Sequence, residues 1–328
     1  DSSDSVATKS SIGRWSTSYE SIIGEIGDGG YSQALSHGGA LWLSFQSYGE
    51  TTRNLTVVTC STALPDVRCK RNSIVVGPKA DDTGKYHKSA LGPGGIPAFC
   101  YAVAPELHVA RCSDVSCTGA YVETVDSRAI SPSWDSHSSP TKCALADGAL
   151  VLAYSLSSRG DLYVASKSGS VWRSERLFAG ATDHPSVALD PNDRSLLAVS
   201  FLDRANGTLR VIRCKAAACA STATLSVWDD SNDAGHYSSA AFALHPDGSS
   251  YLTVHYISYI RDASGRPGNG QLFRADDSSG AVKAISLGIV GTTGSCPGLS
   301  ACPYGAFIST KPWRGGVTTS YFDESNGP

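Results

Sequence analysis

Four of the eight histidines stand just before or at the start of a short apolar run, and each has a tyrosine or an aspartate close by in sequence. These residues are His87, His137, His184 and His236, with the neighbours Tyr86, Asp135, Asp183 and Tyr237. Histidine and tyrosine side chains suit proton transfer near neutral pH when position and environment tune their pKa values. The pattern therefore predicts one acid–base site, which the fold must assemble from positions far apart in the chain.

His255 is singled out by a comparison of equivalent positions along the chain. Five apolar runs end on an aromatic residue preceded by a small one, whereas in a sixth run His255 precedes Tyr256. The segment that follows is the longest of its kind and carries Tyr259, Arg261 and Arg266. Arginine binds carboxylates bidentately, so we predict that these two arginines hold an anionic sugar such as a uronate. The run-ending aromatics either pack between layers of strands or stack on sugars.

The element that must position these residues is a repeat. A five-residue pattern returns six times with a period of roughly 40 to 50 residues, which is typical of solenoids and propellers. Its copies are 6–10, 57–61, 109–113, 164–168, 211–215 and 272–276. Each copy is third among four short runs separated by Asn, Asp, Gly and Pro, so each unit reads as a four-stranded antiparallel meander, with strands A to D. Six units predict an all-β fold, a six-bladed β-propeller of four-stranded antiparallel blades.

The two ends of the chain predict a closed ring. Residues 316–327 have the pattern of a strand B followed by its hairpin, and residues 6–15 that of strands C and D without a beginning. We expect the N-terminal strands to pair with the C-terminal ones, because this removes two free sheet edges. The whole chain, 1–328, is then a single domain, and its last blade is shared between about 1–20 and 303–328.

One turn links the sequence to a known family. The segment from Ser166 to Trp172 resembles the Asp-box of sialidase-like propellers, a Ser-x-Asp-x-Gly-x-x-Trp turn between strands C and D. Thr8 to Trp15 is similar to a second copy, and Ser168 and Ser10 stand at the aspartate position. The resemblance implies a propeller in which these turns are structural. The catalytic arginines, tyrosine–glutamate pair and aspartate that the family implies have no counterpart at matching positions.

Composition narrows the partners and the compartment. Charged residues make up 17% of the chain and the net charge is -3, which argues against nucleic acid as a partner. No apolar run is long enough for a membrane span. Of the ten cysteines, three close pairs follow strand C: Cys60/Cys69, Cys112/Cys117 and Cys214/Cys219. Cys296 and Cys302 form a fourth close pair before the last strand A, and Cys100 and Cys143 are left to bridge blades two and three. This pattern predicts disulfides and a secreted protein. Sequons at Asn54 and Asn206 fall on or beside B–C hairpins and predict a glycoprotein.

These observations leave three functions open. The first is a secreted glycan-active enzyme with one axial site, either a polysaccharide lyase or a glycoside hydrolase. A lyase needs a base and an acid, for which His236, His255 and Tyr237 are candidates, whereas a hydrolase needs paired carboxylates, for which only Asp135 and Asp183 are placed. The second is a non-enzymatic carbohydrate- or protein-binding module. The third is a metal held by the axial histidines, although the first reading needs no cofactor. We expect a monomer.

Overall fold

A computed structural model of the chain describes residues 30–48, 51–61, 69–78, 83–84, 87–103, 105–127, 143–146, 148–156, 160–231, 233–261, 267–289, 306–313 and 316–322. Nearly all of the regular structure in these ranges is antiparallel β-sheet. Short runs of alternating or fully apolar residues bounded by Gly, Pro, Asn and Asp explain this, because such runs suit half-buried or buried strands and their bounding residues suit tight turns.

The strands form five four-stranded sheets and one two-stranded sheet, in chain order. Sheet 1 consists of β1 (Gly30–His37), β2 (Ala40–Tyr48), β3 (Thr52–Ser61) and β4 (Cys69–Pro78). Sheet 2 consists of β5 (Lys88–Leu91), β6 (Pro97–Val103), β7 (Glu106–Cys112) and β8 (Ala120–Asp126). Sheet 3 consists of β9 (Cys143–Leu145), β10 (Val151–Ser155), β11 (Leu162–Ser168) and β12 (Val171–Phe178). Sheet 4 consists of β13 (Thr182–Leu189), β14 (Leu196–Asp203), β15 (Thr208–Lys215) and β16 (Thr224–Asp229). Sheet 5 consists of β17 (Ala234–Leu244), β18 (Ser250–Arg261), β19 (Pro267–Asp276) and β20 (Lys283–Ile289). The two-stranded sheet 6 consists of β21 (Ala306–Trp313) and β22 (Gly316–Phe322).

The first strands of the six sheets lie next to one another in chain order. Contacts join β1 to β5, β5 to β9, β9 to β13, β13 to β17 and β17 to β21. Each sheet therefore packs face to face on the next, as blades do around an axis. In sheets 4 and 5, Leu209 and Val211 meet Leu252, Val254 and Tyr256 in one buried cluster. The second strands are covered on both faces, which explains why they are apolar nearly throughout.

This architecture confirms the predicted all-β fold of four-stranded antiparallel sheets. The six-blade count and the closed ring stay predictions, because residues 1–29 and 323–328 lie outside the described residues and β21 and β22 form a two-stranded sheet. The one α-helical turn in the described ranges is α1 (Cys219–Thr222), in the connection from β15 to β16. No helix in the described part of the chain is long and apolar enough to cross a membrane.

The disulfides agree with the pairs predicted from spacing. Cys60–Cys69, Cys112–Cys117 and Cys214–Cys219 each join the end of a third strand to the connection or strand that follows it. Cys100 of β6 bonds to Cys143 of β9 and so ties sheet 2 to sheet 3. Cys296 and Cys302 were also predicted to pair, and they lie outside the described residues.

The disulfide between sheets should matter more for stability than the hairpin disulfides. Cys100–Cys143 closes a loop of 43 residues and Cys214–Cys219 one of 5. Because loop-closure entropy grows with loop length, replacing both cysteines by serine should lower the free energy of unfolding by about 4 kcal/mol for the first pair and about 2 kcal/mol for the second. Urea denaturation of the two double variants measures the difference, and equal losses would contradict it.

The aromatics that end the second strands pack between sheets. Tyr154 donates its hydroxyl hydrogen to Asp126 Oδ2 of the preceding sheet at 2.8 Å, and Tyr256 donates to Asp229 Oδ2 in the same way. The Tyr256 side chain is 0% exposed, and burial together with Asp229 raises the pKa of its phenol far above the ordinary value. Tyr256 was predicted to bind substrate. A buried ring cannot contact a ligand, so we leave Tyr256 out of the candidate site.

Replacing Tyr256 by phenylalanine should test this packing role. The variant leaves one oxygen of the buried Asp229 carboxylate without its donor, so the free energy of unfolding should fall by about 1 to 3 kcal/mol. The ring itself should fit, since Phe201 occupies the equivalent place in sheet 4 and is fully buried. Urea denaturation measures the loss. An unchanged free energy of unfolding would contradict the packing role of the hydroxyl group.

Candidate functional site

Four of the predicted site residues meet at one edge of sheets 4 and 5. We call this edge, where the first strands begin and the second strands end, the upper edge. His184 lies near the start of β13, His236 and Tyr237 near the start of β17, and Tyr259 near the end of β18. Two first strands and one second strand therefore deliver all four side chains, which we call the ring cluster.

The four rings form a continuous row. The His184 centroid lies 4.3 Å from that of Tyr237 and 5.6 Å from that of His236. The His236 ring in turn meets Tyr259 edge to face at 4.7 Å. Tyr237 and Tyr259 rest on the apolar side chains of Ile257, Leu272 and Ile308. His184 is buried, whereas His236, Tyr237 and Tyr259 are half-buried and present part of their surface to solvent.

The backbone under the ring cluster is strained. Four non-glycine residues of the described chain have positive φ, and three of them belong here: His184 at 47°, Tyr237 at 51° and Asp233 at 59°. The strand register shifts between Asp183 and Ser186 and again between Ala234 and Ser239. Such bulges re-aim side chains, and each left-handed residue costs about 1 to 3 kcal/mol. Strain of this kind persists when the surroundings fix the local conformation, and it is concentrated at functional sites.

Serine hydroxyls hold the strained strands in place. Ser200 of β14 bonds to Ser238 Oγ at 3.0 Å, and Ser238 donates in turn to the carbonyl of His184 at 2.8 Å. Ser186 accepts from the backbone nitrogen of Ala240 at 2.9 Å. These buried bonds join β13, β14 and β17 directly beneath the cluster. They satisfy groups that the bulges remove from the regular ladder.

A carboxylate stands next to His236. Oδ1 of Asp233 lies 3.1 Å from His236 Nε2, and the side chains are 16% and 19% exposed. Nε2 makes no hydrogen bond within the described residues, and the contact is an ion pair only when the imidazole carries a proton. The carboxylate offsets the positive charge that the imidazole acquires when it takes up a proton. An imidazole and a carboxylate at this distance are within the reach that proton transfer requires.

Asp183, unlike Asp233, contacts a backbone N–H group and an arginine. Its side chain is almost fully buried, its Oδ1 accepts the backbone N–H of His184 at 2.9 Å, and its Oδ2 lies 3.8 Å from Arg204. Asp183 therefore helps to hold the left-handed backbone of His184 and a cation at the rim. Arg204 lies on the β14–β15 hairpin and its side chain is 57% exposed. A carboxylate engaged in this way is poorly suited to act as the acid of a hydrolase.

Two predicted catalytic histidines lie away from the ring cluster. His87 is 1% exposed, and its Nε2 and Nδ1 lie 2.7 Å from Ser44 Oγ and 2.8 Å from the Gly84 carbonyl. Burial lowers its pKa to about 4. His255 is 3% exposed between β17 and β19, and burial, with a smaller effect of Arg274, lowers its pKa to about 4. Both side chains belong to the packing, and we leave them out of the candidate site.

The remaining predicted residues cannot be placed. Tyr86, Asp135, His137 and Arg266 lie outside the described residues. The backbone of Arg261 ends β18, and its side chain is not among those described. In the described part of the chain no group of three or more His, Cys, Asp or Glu side chains is arranged to hold a metal ion. The structure therefore brings together His184, His236, Tyr237 and Tyr259 out of the predicted set, with Asp183 beside them.

Sequence reasoning missed Asp233 and Arg204. Asp233 belongs to a polar stretch, and its distance of three residues from His236 was the available signal. Arg204 opens the β14–β15 hairpin, one of the hairpins that a propeller gathers on the same edge as the loops into the first strands. Neither signal is strong. For Asp233, the left-handed backbone turns the carboxylate towards the imidazole, and the sequence does not indicate that conformation.

Comparisons with known proteins give the fold and no closer relationship. No model of a protein family and no curated protein matches the chain. A sialidase from Trypanosoma rangeli, solved in complex with 2,3-difluoro-KDN, superposes with a TM-score of 0.54 at 11% identity, covering 90% of this chain and 52% of that one. AofleA from Arthrobotrys oligospora gives 0.48 at 12% identity, with 77% and 70% covered. A Hadza microbial sialidase, Hz136, gives 0.48 at 11%, with 90% and 63% covered.

The chain spans less than two thirds of the length of either sialidase. At a TM-score of 0.54 and 11% identity, the likeness to the Trypanosoma rangeli sialidase shows a shared fold. The predicted resemblance to sialidase-like propellers is thereby confirmed at the level of the fold.

Proposed function

We propose that this chain is a secreted, glycan-active β-propeller that cleaves an acidic polysaccharide by β-elimination at the ring cluster. The single observation that carries the proposal is the row of His184, His236, Tyr237 and Tyr259 on strained backbone at the upper edge. Carbohydrate as the ligand class is supported by the sugar derivative bound to the sialidase of similar fold. Secretion is supported by the four disulfides.

The residues present fit elimination better than hydrolysis. His236 is the proposed base: with Asp233 beside Nε2, we assign Nδ1 as the atom that accepts the proton from C5 of a uronate. The electron pair of that C–H bond forms the C4=C5 double bond, and the C4–O bond breaks. The leaving oxygen takes its proton from the Tyr237 hydroxyl, which is the proposed acid. Asp233 offsets the charge on the imidazolium.

The other members of the cluster bind and position. Tyr259 and the apolar floor offer a face for a sugar ring, because aromatic rings stack on the C–H faces of sugars. Arg204, Arg261 and Arg266 are the proposed cations for the uronate carboxylate, and Arg204 is the one whose exposed side chain is described. His184 holds Tyr237 in place through ring contact. The proposal needs no cofactor.

The site is proposed to be single and axial. A histidine stands near the first strand of four units, but the full combination of His184, His236, Tyr237 and Tyr259 occurs once, in sheets 4 and 5. A lectin with one pocket per blade would repeat its pocket residues. We propose further that residues 1–20 complete the sixth sheet, so that the chain forms one closed domain and acts as a monomer.

A panel of acidic and neutral oligosaccharides tests the function. Elimination yields a product with a new conjugated double bond, so ultraviolet absorbance should rise with uronate-containing polymers and not with neutral ones. Cleavage that gives no absorbance change would replace the lyase by a hydrolase. Binding with no cleavage would favour a single-site binding module, which the half-buried tyrosines on their apolar floor also suit. The proposal would be overturned if the protein neither binds nor cleaves any member of the panel.

A further inference from the structure

We infer that Asn206 is an N-glycosylation site at the rim of the ring cluster and that the second sequon, at Asn54, is not used. Both asparagines stand in Asn-x-Thr sequences, Asn206-Gly207-Thr208 and Asn54-Leu55-Thr56. The sequons are equivalent in sequence and very different in structure. The inference rests on that difference and does not depend on the proposed reaction.

Asn206 lies on the tip of the β14–β15 hairpin and is exposed. Asp203 fixes this turn, since its backbone carbonyl accepts from the nitrogens of Asn206 at 3.3 Å and of Gly207 at 2.8 Å. Asp203 Oδ2 also accepts from the Asn206 side-chain nitrogen at 2.8 Å and pairs with Arg210 Nε at 2.8 Å. The amide is therefore held at the surface on a rigid turn.

The folded turn can keep a glycan. In the transfer, the Asn206 side-chain nitrogen forms a bond to C1 of the sugar, the bond from C1 to the diphosphate of a lipid-linked oligosaccharide donor breaks with its electron pair, and the amide loses one proton. The linked amide retains one N–H, which is enough for the bond to Asp203. Because Asn206 is exposed, the attached sugar can extend into solvent.

Asn54 offers no such place. It lies within β3, where its backbone is paired with Ser47 on one side and Val76 on the other. Its side-chain oxygen is buried, with no hydrogen-bond partner among the described residues. Thr56 of the same sequon is fully buried and bonds to Ser47 and Ser73. Asn54 itself is half-buried, and a glycan on its nitrogen would have to leave a strand that is paired on both sides, so folded protein should carry Asn54 unmodified.

The position of Asn206 relates the glycan to the site. The Gly207 carbonyl accepts from the backbone nitrogen of Ala234 at 3.0 Å. A Cβ on Gly207 would lie 3.3 Å from the α-carbon of Asp233, so the hairpin packs directly on the residue that faces His236. A glycan on Asn206 would therefore stand beside the ring cluster.

The test is peptide mapping of the full chain secreted from a eukaryotic cell. Enzymatic release of the glycan in heavy-oxygen water converts a modified asparagine into labelled aspartate, and the label should appear at Asn206 alone. Asn206→Gln should lose the mass of one glycan, Asn54→Gln should lose none, and Thr208→Ser, which preserves the sequon, should keep the glycan. An unlabelled Asn206 peptide, or equal labelling at Asn54, would overturn the inference, and the wild-type map decides it even if a variant is not secreted.

Discussion

Replacement of His236 by glutamine is expected to lower kcat/KM for cleavage of an acidic polysaccharide by a factor of about 10² to 10⁴, the usual contribution of a general acid or base. Glutamine approximates the reach of the imidazole and cannot accept the proton. His236 is half-buried at the ring cluster with Asp233 at 3.1 Å, so the substitution removes the proposed base with little change in packing. Initial rates on the uronate polymer that the panel identifies give the measurement.

A second histidine of the same sheet provides the matched control. His245 lies at the opposite end of β17, in the turn before β18, and its ring contacts Tyr251 at 4.6 Å much as His236 contacts Tyr259 at 4.7 Å. His245→Gln should leave kcat/KM within a factor of about two. Wild-type activity in His236→Gln would remove His236 from the mechanism. Equal losses in both variants would point to a general effect on sheet 5.

The strands and the disulfides could be predicted from the sequence because their causes are local. Turn residues and apolar runs fix the four strands of each unit, and the spacing of Cys214 and Cys219 places both at the end of one strand and its connection. The repeat then orders the units, and the pair Cys100–Cys143 follows as the link between two neighbouring units. The placement of His184, His236 and Tyr237 on one edge follows from the same repeat.

The geometry of the site could not be predicted, because it depends on irregular backbone. A bulge moves the following side chains to the other face of a strand, and three left-handed residues at the starts of β13 and β17 decide which rings meet. No local pattern distinguishes such a bulge at His184 from a regular strand. Asp233, which the bulged segment turns towards His236, was missed for the same reason.

His87 and His255 show a second limit of the sequence. Both were singled out by position, His87 before a first strand and His255 by its unusual place in a second strand. In a stack of sheets, however, both faces of these inner strands are covered by neighbours, so an unusual polar residue is buried whichever face it takes. Ser44, from the preceding sheet, then provides the partner for His87, and no feature near His87 in the sequence indicates it.

Acidification is expected to remove several kcal/mol of stability through these two buried histidines. Burial lowers the pKa of each from 6.5 to about 4 in the folded chain. Between those values the unfolded chain binds protons that the folded chain does not, so stability is fully present above pH 6.5 and is lost as the pH falls towards 4. A difference of this size corresponds to about 3 kcal/mol for each histidine, which is large against the 5 to 15 kcal/mol typical of a folded domain.

Burial is the main reason why protonation of either histidine destabilises the folded chain. His87 is fully buried, and the cost of taking the imidazolium out of water outweighs the favourable hydrogen bonds of its ring to the Gly84 carbonyl and to Ser44. His255 is buried beside the cation of Arg274, which adds repulsion to the cost of burial. Urea denaturation at several pH values between 4 and 6.5 measures the loss. Because the two residues lie in different sheets, His87→Gln and His255→Gln should each flatten the pH dependence separately, whereas a double variant as acid-sensitive as wild type would show that other groups cause the loss.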